Sequence, residues 1–419
     1  MCLKGKKLML LGGHALMAHV IEKARELGVY TIVTDYVPNA PAKRLADESY
    51  DISTTDVDAL VRLAKELGVD GVFTGYADSN LVPCCEICSR LGMPFYATLK
   101  QLDQTMHKNH FKELCKKHGI KVVDSIDAEM YLHHKEQIPY PVIVKPADSY
   151  ASKGISVCFN PDDLKACMEK ALHVSACKEI VIEKYIKADD IYCYFTVQNG
   201  IVSLSAMADR ALNEEQPGYA PQPVGYFFPS KYLNLYERNV HDKLQHMISD
   251  LGLLNGSFFM QGFVQDDEIL FFEMGLRLSG GAGYLQIRHQ NQIDQVEMHI
   301  RYALTGVFGN WSIEAYDKPD FAKPACVVVI LLKNGRISRI EGLEKIRRQK
   351  EVFHILQMRQ EGETINAKGT LNQVFARIYL CAEHRVNLRN AVRLIGTELK
   401  VLDENGCSMI LNLFDPDQI

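Results

Sequence analysis

No apolar run in this sequence approaches the ~18 residues that a membrane-crossing helix needs, so no membrane-spanning helix is expected. Positive charge is not in excess either. With 47 Lys and Arg against 52 Asp and Glu, the formal net charge is −5. That balance excludes a strongly basic nucleic-acid footprint, although a local basic groove stays open. The basic stretch Met1–Lys7 is followed by Leu8–Leu11, too brief for the core of a secretory signal. A cytoplasmic protein without nucleic-acid or membrane partners is therefore the expectation. Cysteines number 12, yet they lack paired spacings. The cluster Cys84, Cys85 and Cys88 falls in a helical stretch and reads as reduced, partly buried thiols. Two nucleotide signatures are also missing. There is no G-x-x-x-x-G-K-[ST] loop, and Gly12-Gly13-His14 is not a complete G-x-G-x-x-G fingerprint. Low-complexity tracts and internal repeats are absent.

What is present is an ordinary globular balance, 47% hydrophobic and 24% charged, over 419 residues. At ~100–200 residues per domain this length accommodates two to four domains. The first hundred residues alternate strands and helices. Lys7–Leu11, Val29–Thr34 and Val69–Thr74 read as strands. Helices are expected over His14–Leu27, after Asp56, and over Asn80–Leu91, with Asp56 an N-cap and Gly68 a C-cap. This rhythm implies a parallel sheet with ligands at the carboxyl ends of its strands. Those ends carry Gly12-Gly13-His14, Asp35 and Gly75–Ser79. They are either plain βα turns or one wall of a substrate pocket. Arg210–Lys231, rich in Pro, Gly and Tyr and without a clear period, reads as a long loop over a site. Near Pro324 a third region starts, with Ala325–Leu332 a strand, Lys333-Asn334-Gly335-Arg336 a hairpin turn, and a helix over about Arg385–Lys400.

Three stretches carry chemistry. In Pro141–Pro146 an apolar strand is interrupted by Lys145, whose burial requires a counter-charge. The loop after it offers Ser149, Ser152, Lys153 and Gly154, suited to cradling an anion. Second, Ile180–Ile186 is a strand running into a linker, followed by Asp190, which is free for a ribose hydroxyl pair or simply solvated. Third, Phe258–Val264 and Ile269–Leu278 form a hairpin around Gln265–Glu268. Its turn centre brings Gln261 near Glu273 on one face. A glutamate within Phe271-Phe272-Glu273-Met274 is costly unless paired or metal-bound, and two such oxygens make a hard-cation site. Arg277 follows, then Ser279-Gly280-Gly281, where a ligand can approach backbone closely.

Taken in order, these stretches resemble the ATP-grasp enzymes, in the branch with biotin carboxylase, carbamoyl-phosphate synthetase halves and L-amino-acid ligases. Met106–Lys112 looks like that family's opening lysine helix and Val144–Gly154 like its lysine strand and phosphate lid. Glu183–Ile186 is similar to the adenine hinge, and Gly256–Gln261 to the first metal strand. Glu273–Gly281 is similar to the E-x-N-x-R stretch. The family has Asn two residues after the metal glutamate. This chain has Gly275, so one metal or two stays open.

The resemblance implies an α/β chain of three parts. These are an N-terminal parallel βα (pre-ATP-grasp) domain at 1–98, a two-lobed α+β ATP-grasp domain at 99–315 with its lid at about 112–186, and a small C-terminal α+β domain at 316–419. It implies ATP and Mg²⁺ (or Mn²⁺) as cofactors, small-molecule acid and amine substrates, and a homodimer as an option. Lys108 and Lys145, with Ser152, Lys153 and Gly154, would hold the phosphates. Glu183, Lys184 and Ile186 would hold adenine, and Asp190 ribose. Gln261 and Glu273 would hold metal, Arg277 would stabilise developing negative charge, and Arg288, Asp78, Ser279 and Gly280 would face substrate. The implied reaction is carboxylate–amine (or carboxylate–thiol) ligation through an acyl phosphate. Bicarbonate activation is the alternative within enzymes, and a non-catalytic ATP-binding sensor the alternative outside them.

Overall fold

The computed structural model describes residues 2–149, 152–214, 219–411 and 413–419. It opens with a four-stranded parallel sheet of β1 (Lys7–Leu11), β2 (Tyr30–Thr34), β3 (Glu48–Tyr50) and β4 (Gly71–Phe73), in the order β3-β2-β1-β4. Its central strands are buried almost throughout, as expected of strands covered by helices on both faces. The helices are α1 (Met17–Glu26), α2 (Val57–Leu67) and α3 (Leu81–Leu91). The Asp56 carboxylate caps α2 by accepting from Ala59 N–H at 3.0 Å, and Gly68 ends it at φ 62°. α1 starts three residues later than the pattern suggests. Gly13 N–H donates to Asp35 Oδ2 at 2.7 Å, which holds the preceding loop against the end of β2. Only glycine fits there, since a Cβ on residue 13 would lie 2.5 Å from that of Ala40. Cys84, Cys85 and Cys88 are free and buried in α3, as the sequence implied.

Two helices meeting at His107, α4 (Leu99–Met106) and α5 (Lys108–Lys117), lead into a smaller lobe. This lobe contains α6 (Ala128–His133), α7 (Pro161–Val174) and a three-stranded antiparallel sheet, β5 (Val142–Pro146), β6 (Ser156–Cys158) and β7 (Ile180–Lys184). The chain then builds an eight-stranded antiparallel sheet. β8 (Asp189–Gln198), β9 (Ile201–Leu212), β10 (Pro223–Phe228), β11 (Gly256–Gln265) and β12 (Glu268–Gly275) form its first part. β13 (Ala325–Leu331) continues it directly beside β10. Two short ladders pair β14 (Gly335–Arg336) with β17 (Thr364–Ile365), and β15 (Arg339–Glu341) with β19 (Lys400–Leu402). β16 (Val352–Gln357) and β18 (Val374–Cys381) complete the large sheet, in the order β12-β11-β8-β9-β10-β13-β18-β16. A single apolar cluster runs from the first sheet through to these last strands.

Two expectations are corrected here. Arg210–Lys231 is not one long loop. Arg210 to Leu212 finish β9, and Pro223 to Phe228 form β10, paired on both sides within the sheet. The flanking prolines disguise a short strand that is buried on nearly every residue. Within the connection, residues 215–218 lie outside the described residues, as do Tyr150 and Ala151 of the expected phosphate loop. Nor does Lys333–Arg336 turn a hairpin. β13 has both edges filled, by β10 and β18, so its neighbour in sequence cannot fold back onto it and pairs with β17 instead. The Asn-Gly signal loses to an edge that is already occupied.

His299, on the helix Gln295–Thr305, joins the first sheet to the large one. Its ring stacks on Phe73 at 5.5 Å, meets Tyr96 edge-on at 4.8 Å, and shares a 2.8 Å hydrogen bond between Nε2 and Ser257 Oγ. Burial lowers its pKa from 6.5 to about 3. A base whose folded pKa lies below its unfolded value must be neutral to fold. Its contribution is therefore complete above pH 6.5 and is lost as pH falls toward 3. Each pH unit within that window costs about 1.4 kcal/mol. Urea unfolding should thus show lower stability at pH 5.5 than at 7.5, and His299→Gln should shrink that difference by about 1 kcal/mol. An unchanged pH slope in the variant would contradict this assignment.

Candidate active site

Lys145, at the end of β5, has the counter-charge its burial requires. Its ammonium lies 2.5 Å from Glu183 Oε2, on the neighbouring strand β7. Lys112, from α5, contacts the other oxygen, Oε1, and also donates to Val123 O and Ser125 Oγ at 2.8 Å each. Burial pushes the Glu183 carboxyl up, but Lys145 and Lys112 outweigh it and hold the group below its ordinary value. Lys145 also sits 4.9 Å from the centre of the Phe272 ring on β12, so it spans from the lid sheet to the large sheet. The Glu183 side chain therefore faces two lysines, whereas the expectation aimed it at an adenine edge. Exposed Lys184 ends β7, and half-buried Ile186 follows on the linker to β8.

Lys108 is buried at the start of α5. Its ammonium donates to Ser149 O at 2.6 Å, and its backbone N–H to Ala147 O at 3.1 Å, which ties the helix to the lid loop. Burial lowers its pKa, and Glu273, Lys145, Glu183 and Asp78 are the charges around it. In the loop itself Ser152 and Gly154 take left-handed backbone, at φ 59° and 74°. Ser149 Oγ donates to Lys153 O at 3.0 Å.

The hairpin of β11 and β12 turns on Asp266 and Asp267, both at positive φ, the geometry of a two-residue type I′ turn. Counting strictly from that turn would pair Gln261 with Phe272. A bulge shifts the register there, so Gln261 pairs with Glu273 as expected. Glu273 is half-buried and has no hydrogen-bonded partner among the described residues. Gln261 is engaged, because its Oε1 accepts from Arg210 Nη1 at 2.6 Å. Arg210 also holds both oxygens of Asp190, at 2.7 and 2.6 Å. Both Asp190 oxygens are thus engaged by Arg210, where the expectation gave them to a ribose. Arg210 escaped the sequence reading because it sat in the stretch taken for a loop. Its alternation with Ala208 along a buried strand was the available signal.

Arg277 is buried and gives two hydrogen bonds to Asp78, at 2.7 and 2.5 Å, and one to Leu278 O at 2.9 Å. The Asp78 carboxylate keeps its guanidinium charged against the pull of burial. The strand-end loop of the first sheet and the hairpin thus meet, as the pocket-wall reading required. Ser279 Oγ lies 2.9 Å from Tyr192 Oη, and Gly280 faces open space. Arg288 stands apart, half-exposed beside Asp294 at 3.6 Å and near His19. A cavity of about 390 Å³ brings Asp78, Lys108, Asp148, Ser149 and Glu273 to one apolar-backed space. Arg288 is not part of its lining.

Gly275 has a structural cause. A Cβ on residue 275 would lie 2.2 Å from Phe259 Cζ. The Phe259 ring stacks on Tyr192 at 5.0 Å and underlies the Arg277 guanidinium, also at 5.0 Å. An aromatic ring thus occupies the space where an Asn side chain would project. Gly275→Asn should destabilise the fold by about 1–3 kcal/mol of overpacking, and Phe259→Ala in the same chain should relieve most of that. Denaturant midpoints of the two variants test this, and equal destabilisation with and without the second change would refute it.

The family described as D-ala D-ala ligase C-terminus matches residues 104–221. The formate-dependent phosphoribosylglycinamide formyltransferase of Prochlorococcus marinus (strain MIT 9515) is 25% identical over 341 residues, covering 80% of this chain and 83% of the relative. The enzyme of the same name from Wolinella succinogenes is 25% identical over 71% of this chain and 76% of its own. Among solved structures, the L-amino acid ligase from Bacillus licheniformis aligns with a TM-score of 0.79 at 18% identity, covering 96% of this chain and all (100%) of that one. The N5-carboxyaminoimidazole ribonucleotide synthetase from Thermotoga maritima aligns at 0.71 and 18%, covering 95% and 100%. A lid sheet closing over a large antiparallel sheet, with lysines and a carboxylate between, defines the class. The fold is that of the ATP-grasp ligases, and residues 104–221 match the ligase-domain family.

Proposed function

We propose that this enzyme uses ATP to activate the carboxylate of a small acid or amino acid as an acyl phosphate and joins it to an amine, releasing ADP and phosphate. The observation that carries this reading is the convergence of Lys108 and unpartnered Glu273 on one cavity, with Asp78-held Arg277 at its edge. Relatives named for formyl transfer onto phosphoribosylglycinamide, and a structural neighbour named as an amino acid ligase, support it.

The donor set suits Mg²⁺. That ion takes one or two carboxylates plus phosphate oxygens and retains several waters, so Glu273 suffices as the protein's carboxylate without a side chain at 275. Bound there with ATP, it would supply neutralisation of phosphate charge. Lys108 and Lys145 would pair with phosphate oxygens, each exchanging a present protein partner for them. The γ-phosphoryl passes to a carboxylate oxygen as ADP leaves. The amine nitrogen then attacks the acyl carbon, losing a proton as phosphate departs. Arg277 meets the negative charge that builds in both steps. Asp78 orients it, and an incoming anion competes with Asp78 for its two N–H bonds. The apolar backing of the cavity keeps water from the acyl phosphate.

The test is product analysis with ATP, Mg²⁺ and pooled acids and amines. Release of ADP and phosphate that needs both an acid and an amine is the expected result. AMP with pyrophosphate would sink the acyl-phosphate mechanism, release driven by bicarbonate alone would redirect it to carboxylation, and binding without turnover would leave a sensor. Glu273→Gln should lower kcat by roughly a hundredfold or more.

A further inference from the structure

Outside the site just described, three ligand-type side chains from two separate elements converge. His107 sits where α4 meets α5, and Cys177 and Glu179 lie on the loop between α7 and β7. His107 Nε2 is 3.9 Å from Cys177 Sγ and 3.6 Å from Glu179 Oε2, and the three ligand atoms all fall within 4.8 Å of one another. Ligand atoms around a tetrahedral zinc ion stand about 3.4–3.6 Å apart, so closure of up to about an ångström completes the set. Lys178, at φ 60°, is left-handed and turns the residues on either side of it toward His107. The surroundings are those of a supported site. Cys177 N–H donates to Asp148 Oδ2 at 2.8 Å, Ser175 Oγ lies 3.4 Å from Cys177 Sγ, and Glu179 N–H donates to Ser175 Oγ at 3.1 Å. Among the described residues, the other Asp148 oxygen, Oδ1, and His107 Nδ1 are buried with no hydrogen-bond partner.

We propose that His107, Cys177 and Glu179 form a transition-metal site, with zinc the ion their nitrogen, sulfur and oxygen donors favour, and that the bound ion ties the lid to the α4–α5 junction. Three protein ligands leave a fourth position for water. The thiol proton passes to solvent on binding, and the metal holds the sulfur as thiolate. His107, Asp148, Lys108 and Ser149 all line the cavity that also holds Glu273. An ion at this cluster therefore fastens the lid's α7–β7 loop beside the cavity mouth. Mg²⁺ does not compete effectively, because it prefers oxygen ligands.

The experiment is Co²⁺ titration of the full chain without nucleotide, read as the thiolate-to-cobalt charge-transfer absorbance, followed by its displacement with Zn²⁺. A band that zinc abolishes is expected. It should disappear in Cys177→Ser and persist in Cys2→Ser and Cys407→Ser, which change the chain's other exposed thiols. Glu179→Gln and Asp148→Asn should weaken cobalt affinity roughly tenfold or more. Thermal unfolding of each metal-free variant checks that its fold is intact. No band, or a band that survives Cys177→Ser, overturns the proposal. Because the readout needs neither ATP nor turnover, its failure would leave the ligase reading untouched, and the reverse holds as well.

Discussion

The carboxylate of Glu183, buried between Lys145 and Lys112, is the interaction on which the lid depends. Three charges share a space that water does not reach. Each ammonium carries a desolvation cost that only a close opposite charge offsets, and Glu183 serves both. The triad joins β5 and β7 to α5, and Lys145 continues from it across to Phe272 on the large sheet. Removing the carboxylate would leave two cations buried against each other. Under the proposed function, the same arrangement would accommodate a phosphate. A site already built to hold two lysines beside one anion accepts a second anion without new charge having to be buried alone.

A second pair of long-range contacts sets where chemistry can occur. Asp78 and Arg277 lock the first parallel sheet to the end of the β11–β12 hairpin. Arg210 locks Asp190 to Gln261 on adjacent strands of the large sheet. Between these two arginine clamps the bulge at Phe272 turns Glu273 onto the Gln261 position, and the Phe259 ring fills the room above Gly275. Glu273 is consequently the one carboxylate of the hairpin face without a cationic partner in hydrogen-bond range among the described residues. That is the electrostatic condition for recruiting a cation.

Much of this was legible in the chain. Lys145 inside an apolar strand announced a buried counter-charge, and Glu183 is that charge. The hairpin pattern put Gln261 near Glu273. Asp56 and Gly68 marked the ends of α2. Other features were hidden. β10 is flanked by prolines and too short to show a period, so Arg210 at the end of its partner strand was lost with it. The Asn334-Gly335 signal is correct local chemistry defeated by a crowded sheet, since β13 has no free edge. The partner of Asp190 was missed with Arg210, which lies directly across from it on the neighbouring strand β9.

By itself the sequence determined most of the strands and helices and which charged groups would be forced into apolar surroundings. Periodicity and the cost of burying charge act within a few residues and are written locally. Only the tertiary structure decided which of those charges meet. Asp78 and Arg277 are 199 positions apart, and Gln261 and Arg210 are 51 apart. Such pairs form or fail according to strand order, a single bulge and the space an aromatic ring takes, and all three are properties of packing across the whole molecule.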